Sequence, residues 1–202
     1  MRFFSYIGAD MKLIIKQLHE TAITWDQIAD FMHESFEERL QQGLRFTCSF
    51  MTAEEFERAM GPGTVFVALD EDSGEMLGTV TLKIKTDSQG RTYGYHEYLA
   101  VSPKAKHLGV ATQLAAVWTA YAKDNGVQYV KSDTATRAES SVRWHLKNDF
   151  MIYAVKAFRT TNYVSYIFIK PLEPYKMSPT FVRLHYLYSR VRYFFSFQKR
   201  RI

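Results

Sequence analysis

Apolar residues along this chain recur with two different periods, and the change from one period to the other marks the predicted elements. Continuous or alternating apolar runs that are rich in aromatic and β-branched residues are typical of strands. Seven segments have this pattern: Lys12–Leu18, Thr64–Leu69, Met76–Lys85, Tyr93–Val101, Val127–Ser132, Met151–Ala157 and Tyr163–Ile169. Turn-forming residues separate the second, third and fourth of these segments, which favours antiparallel hairpins there.

Five other segments have apolar residues at every third or fourth position, which is the spacing of a helix. Two of them begin with a capping box, Thr-x-x-Gln at Thr24 and Thr-x-x-Glu at Thr52. The other three begin near Leu108, Ala138 and Thr180. The predicted element order is therefore β-α-α-β-β-β-α-β-α-β-β, followed by a C-terminal helix.

This order predicts an α+β protein with a mostly antiparallel central sheet and helices on both faces, that is, an α/β/α layering. One βαβ unit, Tyr93–Ser132, is expected to cross over in the right-handed sense. The 202 residues are enough for one domain with a sizeable core. We expect an N-terminal extension over residues 1–11, a folded domain over residues 12–172 and a basic, aromatic helix over residues 173–202.

Charge changes this picture only at the C-terminal end. The chain has a formal net charge of +5, but residues 173–202 contain seven lysines and arginines and one glutamate, so the remainder is close to neutral. A neutral body argues against a nucleic-acid-binding surface. The single cysteine, Cys48, excludes an intramolecular disulfide and favours a reducing compartment, the cytoplasm. The apolar run at the N-terminus is broken at Asp10 and is too short for a signal peptide or a membrane span.

The candidate binding site lies where the fourth predicted strand gives way to the third predicted helix. The strand ends before Pro103, because proline lacks the N–H that a sheet needs, and helical spacing begins at Leu108. The first N–H groups of a helix have no partner within it, and they lie at the positive end of the helix dipole. Lys104, Lys106 and His107 surround this point. An anion such as a phosphate is therefore the expected ligand.

The same segment resembles a family motif. Lys106-x-x-Gly109-x-Ala111, placed between a strand and a helix, is similar to the [Gln/Arg]-x-x-Gly-x-[Gly/Ala] motif of the GNAT family of N-acetyltransferases. Lysine at the first position keeps the charge of the arginine but loses its planar fork. The resemblance extends over about residues 12–172. It implies an acyl-CoA N-acyltransferase fold, acetyl-CoA as co-substrate, direct transfer to a primary amine, and no metal.

The resemblance also assigns residues to the parts of acetyl-CoA. Those assigned to the pyrophosphate are Lys106, His107, Leu108, Gly109, Val110, Ala111 and Thr112, mostly through backbone N–H groups, and those assigned to the pantetheine and the thioester carbonyl are Leu99, Ala100 and Val101. Relatives often have an asparagine where this chain has Ala138. Ser140 or Ser141 would have to replace that contact with the pantetheine.

Glu97 is the candidate base. The strand period of two predicts that Tyr95, Leu99 and Val101 lie on the same face as this carboxylate, which is costly to bury unless it has a partner or a role. Relatives often have a Glu or His at this spacing, where it takes a proton from the acceptor ammonium, directly or through water. A purely structural role is an equal alternative. The neighbouring His96 points to the opposite face and is expected to pack in the core.

His145 is the candidate acid. The helix that contains it resembles a family helix that ends in Tyr-x-x-x-Gly-Phe, whose tyrosine acts as general acid near the CoA sulfur. When Phe150 is aligned with that phenylalanine, Asp149 takes the place of the glycine and His145 that of the tyrosine. A histidine is able to protonate a departing thiolate. The alternatives are a surface position for His145, with water or another tyrosine as the acid, and a CoA-binding or scaffold protein that has no turnover.

The acceptor has no sequence motif of its own. In the family the acceptor amine is selected by the segment that corresponds to Arg39–Ser49 and by the loop between the last two strands of the domain. Neither segment identifies an amine here.

The C-terminal helix has two interpretations. The residues that share one helical face are Phe181, Leu184, Leu187, Tyr188, Val191, Phe194 and Phe195. Arg183 and Arg190 lie apart from this face, and Lys199-Arg200-Arg201 follow it. The helix either docks on the body or on a second subunit of a homodimer, or lies on an anionic membrane through about residues 180–201. The second interpretation describes a peripheral protein at the inner membrane surface, with a longer acyl donor.

Overall fold

The computed structural model describes residues 3–7 and 11–198, with side chains for residues 12–194. The strands are β1 (Phe3–Ile7), β2 (Met11–Gln17), β3 (Thr64–Asp70), β4 (Met76–Thr86), β5 (Thr92–Val101), β6 (Tyr129–Ala135), β7 (Met151–Ala157) and β8 (Val164–Pro171). The α-helices are α1 (Trp25–Gln41), α2 (Ala53–Met60), α3 (Val110–Asp124), α4 (Glu139–Lys147) and α5 (Pro179–Gln198). Short 3-10 turns cover Leu18–Glu20, Thr47–Ser49 and Pro103–Ala105.

The described strands form one eight-stranded sheet in the order β1-β2-β3-β4-β5-β6-β8-β7. Every neighbouring pair is antiparallel except β5 and β6, which are parallel and connected through α3. The predicted α+β class, the mostly antiparallel sheet and the βαβ unit are therefore confirmed. The sheet contains one strand more than the apolar pattern predicts. Residues 3–7 lie in the expected N-terminal extension, yet they pair with β2 from Phe3 opposite Ile15 to Ile7 opposite Met11.

Both predicted capping boxes form, and they determine where α1 and α2 begin. The Gln27 N–H donates to Thr24 Oγ1 at 3.3 Å, and the Thr24 N–H donates to Gln27 Oε1 at 2.9 Å. Thr52 and Glu55 repeat the pair at 3.3 and 2.8 Å. Each cap satisfies N–H groups that the helix itself leaves without partners, and such a cap is worth about 1 kcal/mol.

The core has one layer on each face of the sheet. Buried side chains on the α3 face include Leu82, Leu114, Trp118, Phe150 and Phe168. Buried side chains on the face covered by α1 and α2 include Ile28, Met32, Phe56, Met60 and Val67. Each large apolar side chain stabilises the fold by roughly 1.5–3 kcal/mol when it is fully buried. The two layers hold the sheet, and with it the ends of β5 and β6, in a fixed position.

Helix α5 docks on β7, but through a different face from the predicted one. The Val155 N–H donates to Ser189 Oγ at 3.0 Å, and His185 Nδ1 lies 3.0 Å from the Tyr153 carbonyl oxygen. The Tyr153 and His185 rings stack with 3.8 Å between their centroids, and Val182 is buried. The contact with the body thus uses mostly polar and aromatic groups, because the helix turns its apolar face outward.

The predicted apolar face of α5 is exposed wherever its side chains are described. Leu184 and Tyr188 are each 62% exposed. The Phe195 side chain and the segment Lys199-Arg200-Arg201 lie outside the described residues. None of the described helices is both long enough and apolar enough to cross a lipid bilayer.

Candidate functional site

Strand β5 contains a bulge at its centre. In the register with β4, Thr81 is opposite Glu97 but Thr79 is opposite Ala100, so β5 has one extra residue between these pairs. Tyr98 lies within this extra length and has a φ of 56°, in the left-handed region that residues other than glycine seldom adopt. A bulge bends its strand and changes the direction of the side chains that follow.

The bulge corrects the predicted surroundings of Glu97. Leu99 and Val101 do not share its face, because they pack against the core on the α3 side. Tyr98 packs on the opposite side, where its ring meets that of Phe56 from α2 edge-on, with 6.1 Å between the centroids. A strict period of two cannot hold across an extra residue, so the three predicted neighbours of Glu97 are reduced to Tyr95 alone.

Beyond the bulge, β5 and β6 separate. The two strands pair at three positions, beginning with Tyr93 opposite Tyr129, although β5 continues to Val101 and β6 to Ala135. The parts that continue without pairing border a space that we call the β5–β6 gap. Backbone N–H and C=O groups that face such a gap are available to a ligand with amide groups, in the way that a sheet edge is available to a peptide.

The loop after β5 ends in a set of free N–H groups. His107 and Gly109 have φ values of 68° and 86°, and Gly109 is the N-cap of α3. Among the described residues, the N–H groups of Gly109, Val110 and Ala111 donate to no protein acceptor, whereas the Thr112 N–H bonds the Gly109 carbonyl at 3.0 Å. A Cβ placed on Gly109 would meet no atom within 4 Å. The geometry is that of an anion-binding helix N-terminus.

The lysines of this loop are ion-paired within the protein. Lys106 pairs with Glu38 at the end of α1, and Lys104 pairs with Glu75. The hydrogen bond and the charge of Lys106 lower the pKa of the Glu38 carboxyl below its ordinary value. The His107 side chain is exposed, and Leu108 is partly buried against the core. An anion at the helix start would therefore compete with Glu38 for the Lys106 ammonium.

The end of α1 also contacts the start of α4. The Arg39 guanidinium donates to Ser140 Oγ, and the adjacent Glu38 binds Lys106 on the other side. Ala138, where relatives often have asparagine, is buried and offers no polar side chain. The Ser141 carbonyl oxygen already has a hydrogen-bond partner within α4, His145 Nδ1. Of the two serines assigned to the pantetheine, Ser140 has the more exposed side chain.

Glu97 is held in an ion pair with Lys83 of β4, and their side chains are 24% and 19% exposed. A second carboxylate, Asp133, lies two positions beyond the last paired residue of β6, just as Glu97 does on β5. The Tyr95 hydroxyl donates to Asp133 Oδ1 at 2.8 Å. Burial raises the pKa of Asp133 above its ordinary value. Asp133 belongs to no sequence motif, although the strand period counted from Tyr129 places it on one face with Glu97.

His145 is in the core, and the alternative of a surface position is wrong. Its side chain is 3% exposed and stacks on Phe168 with 4.4 Å between the ring centroids. Nδ1 lies 2.7 Å from the Ser141 carbonyl oxygen, and Nε2 lies 3.0 Å from Ser132 Oγ. Because a carbonyl only accepts, Nδ1 carries the proton and Nε2 accepts from the serine hydroxyl.

His96 completes this network and is packed, as expected. Its Nδ1 lies 3.1 Å from Ser132 Oγ, so one serine joins both imidazoles. Burial lowers the pKa of His145 to about 4 and that of His96 to about 3. Both rings are therefore neutral at neutral pH. Burial disfavours the imidazolium that would donate the proton, and both nitrogens of His145 already have partners, so we do not assign the acid role to His145.

The two segments that were expected to select the acceptor meet each other. Asn162, in the loop between β7 and β8, accepts from the Arg45 N–H at 3.0 Å and donates to the Gly43 carbonyl at 2.9 Å. The Phe46 and Tyr163 rings lie 4.8 Å apart between centroids. These contacts join the two segments on the face of the sheet that α1 and α2 cover, which is also the face of Tyr98. We call the joined residues, Gly43, Arg45, Phe46, Asn162 and Tyr163, the wall.

A groove of about 910 Å³ lies between α5 and the β7–β8 hairpin and does not include the loop at α3. No three His, Cys, Asp or Glu side chains within the described part of the chain are placed to hold a metal ion.

The model of the acetyltransferase (GNAT) family matches residues 25–150. The fold is similar to a structure of the NatC complex bound to Gag peptide and CoA, with a TM-score of 0.62, 14% identity and coverage of 79% of this chain and 98% of that one. It is also similar to a GNAT family acetyltransferase from Elizabethkingia anophelis with acetyl-CoA bound, with a TM-score of 0.57, 13% identity and coverage of 79% and 98%.

A third similar structure is the ribosomal-protein-S5-alanine acetyltransferase from Vibrio fischeri, with a TM-score of 0.58, 13% identity and coverage of 88% of this chain and all of that one (100%). At these identities the three structures establish the fold alone. No curated protein matches the chain.

Proposed function

Because this chain belongs to the acetyltransferase (GNAT) family, we propose that it transfers the acetyl group of acetyl-CoA directly to a primary amine. Two neighbouring features carry the proposal together. The free N–H groups at the start of α3 lie next to the β5–β6 gap. One feature suits a pyrophosphate and the other an extended chain with amide groups, and CoA contains both.

In this proposal the pyrophosphate binds the N–H groups of Gly109, Val110 and Ala111. The pantetheine lies in the β5–β6 gap and pairs with the backbone of β5 after the bulge, at Leu99 and Val101. A backbone N–H of that segment holds the thioester carbonyl, where it stabilises the oxyanion that forms during attack.

Glu97 is the proposed base. The Lys83 ammonium already lies against its carboxylate, which supports a cation site at this point. An acceptor ammonium that replaces Lys83 gives a proton to Glu97, and the neutral nitrogen then attacks the thioester carbon. The new C–N bond forms, the C–S bond breaks, and the second proton of the attacking nitrogen passes through water to the departing CoA thiolate. His145 has no step in this scheme; together with Ser132 it positions α4 against β6.

A second candidate function, CoA binding without turnover, is favoured by one observation. The position of the family tyrosine is taken by a buried, neutral histidine, and the proposed base is held in an ion pair. Both candidates use the same loop, so they differ only in the proton-transfer half of the site.

The test measures binding and turnover separately on the purified full chain. Acetyl-CoA at about 100 times its Kd is expected to raise the Tm by roughly 5–10 °C. Release of CoA thiol is then followed against a panel of amines, polyamines, amino acids and peptides. No rise in Tm at about millimolar acetyl-CoA would overturn the proposal, and a rise without any thiol release would favour the second candidate.

A further inference from the structure

Helix α5 has three distinct faces. One face docks on β7 through Val182, His185 and Ser189, as described above. At 100° per residue, the opposite face is centred near Leu184 and Val191. Arginines lie on the flanks of the helix, between these two faces. A helix that needed only to cover β7 would have its most apolar face against the sheet.

The outward face is a continuous apolar stripe. It consists of Leu184, Leu187, Tyr188 and Val191, which are 62%, 51%, 62% and 55% exposed. Their spacing of three, four and seven residues brings them onto one side of the helix. We call these four residues the α5 stripe. Contiguous exposed apolar side chains of this size mark a surface that binds something.

Arginines flank the stripe on both sides. Arg183 and Arg190 lie along one border and Arg192 along the other, and all three are exposed. Pro179–Gln198 contains no Asp or Glu. The long aliphatic stems of such arginines can lie beside an apolar surface while the guanidinium groups reach outward to anions.

This charge pattern discriminates between the possible occupants. A second copy of α5 would bring six guanidinium groups together (three per helix) without a carboxylate from either helix to pair with them, and like charges at that distance repel. An anionic bilayer offers acyl chains to the stripe and phosphate groups to its borders. The described helices cannot cross a membrane, so α5 would lie in the plane of the surface.

We propose that α5 binds the surface of an anionic lipid bilayer through the α5 stripe and its three flanking arginines. The docked face keeps the helix fixed to β7, so the whole protein is held on the membrane in one orientation. This inference does not depend on the acetyltransferase proposal, because none of the residues that carry it belongs to the acetyl-CoA site.

The test is sedimentation of the full chain with vesicles of phosphatidylcholine alone and of phosphatidylcholine mixed with phosphatidylglycerol. We expect binding to the anionic vesicles only, and weaker binding as salt increases. Two triple variants separate the contributions: Leu184→Gln/Leu187→Gln/Val191→Gln removes the apolar contact, and Arg183→Gln/Arg190→Gln/Arg192→Gln removes the charge. Each is expected to reduce partition by about tenfold or more.

Matched controls change the same chemistry elsewhere. Ile84→Gln with Leu146→Gln alters exposed apolar residues on other elements, and Arg58→Gln/Lys123→Gln/Lys147→Gln removes three exposed positive charges. Both controls should partition like the unchanged protein. The Tm of every variant reports whether it folds, and the exposed positions of the substitutions predict little change.

Three outcomes would overturn the proposal. The first is no binding, or equal partition onto neutral and anionic vesicles. The second is unchanged binding by folded stripe and arginine variants. The third is a dimer of the full chain that the stripe variant loses, without any vesicle binding, which would assign the stripe to a second copy.

Discussion

The two halves of the candidate site are built in different ways. At the start of α3, the groups proposed to bind the ligand are backbone N–H groups, which are free because a loop with two left-handed residues leads into a helix. At the β5–β6 gap the groups are the carboxylates of Glu97 and Asp133, whose directions depend on a bulge and on the register of two strands. The first half is local and tolerates side-chain changes. The second half requires several distant segments to be in place.

The largest difference between the halves is expected from Glu97→Gln. The amide keeps the size of the side chain but cannot take the proton, so turnover should fall by about 100-fold or more. The rise in Tm with acetyl-CoA should stay the same, because the loop at α3 is unchanged. Steady-state thiol release and a thermal shift measure the two effects.

Asp133→Asn is the matched control, since it alters the neighbouring carboxylate without removing the proposed base. A smaller loss in kcat than for Glu97→Gln is expected. Equal activity of Glu97→Gln and the unchanged protein would contradict the base assignment and leave Glu97 with a structural role.

Acid is expected to lower the free energy of unfolding through the buried histidines His145 and His96, which lie in the core beneath the carboxylate half. The pKa values of His145 and His96 in the fold are about 4 and about 3, below the ~6.5 of an unfolded histidine. Between these values the unfolded chain binds protons that the folded chain does not. The stability is therefore complete above about pH 6.5 and falls as the pH approaches 4, by up to about 1.4 kcal/mol per pH unit for each histidine.

Chemical unfolding at several pH values measures this slope. His145→Gln removes one of the two titrating groups, so its free energy of unfolding should be lower at pH 7 but should change less with pH. An unchanged slope in this variant would show that carboxylates, and not the buried histidines, cause the acid sensitivity.

Gly109→Val probes the backbone half. Valine at a φ of 86° costs about 1–2 kcal/mol, and its side chain would occupy the open space next to the free N–H groups. We expect the KM for acetyl-CoA to rise by about tenfold, with kcat at saturation changed less. Gly90→Val is the control, because Gly90 has a φ of 76° and open space but lies in the turn between β4 and β5, at the opposite end of β5 from the loop. If both variants bind acetyl-CoA equally, the loop is not the CoA site.

The smallest effect is expected at Lys106, whose ion pair with Glu38 joins the loop before α3 to the end of α1. Lys106→Gln should weaken CoA binding about two- to fivefold at low salt, since a partly exposed ion pair contributes less than about 1 kcal/mol. Glu38→Gln should strengthen binding by a similar factor, because the ammonium no longer has a competitor. Titration calorimetry at low and high salt would show both differences shrink with screening. Weaker binding by Glu38→Gln, or tighter binding by Lys106→Gln, would contradict the competition.

The contrast between the halves also explains what could be predicted from the sequence. The element order, the sheet class and the capping boxes at Thr24 and Thr52 follow from local patterns, and so does the loop at Gly109. The face of Glu97 does not, because the extra residue in β5 that includes Tyr98 leaves no trace in the apolar spacing. Asp133 has the correct spacing on β6 but no motif.

Long-range packing accounts for the other differences. The burial of His145 depends on Phe168 and Ser132, which come from different strands, so its neighbours along the chain could not indicate it. The apolar face of α5 was correctly located, but which face docks on β7 depends on contacts from Ser189 and His185 to the backbone of a strand about 30 residues away. Burial of apolar residues is the usual expectation for a helix, and here the exposed stripe departs from it.

The contacts of Glu38 and Arg39 imply that the two halves of the candidate site are coupled through the end of α1. These two residues connect the end of α1 to Lys106 on one side of the β5–β6 gap and to Ser140 on the other, and the chain then continues directly into the wall at Gly43. A pyrophosphate that takes Lys106 from Glu38 removes one of the two contacts that fix this end of α1. If the proposed acceptor amine binds at the wall, its affinity should therefore differ between the free protein and the complex with acetyl-CoA, by no more than the few-fold factor that a partly exposed ion pair supplies.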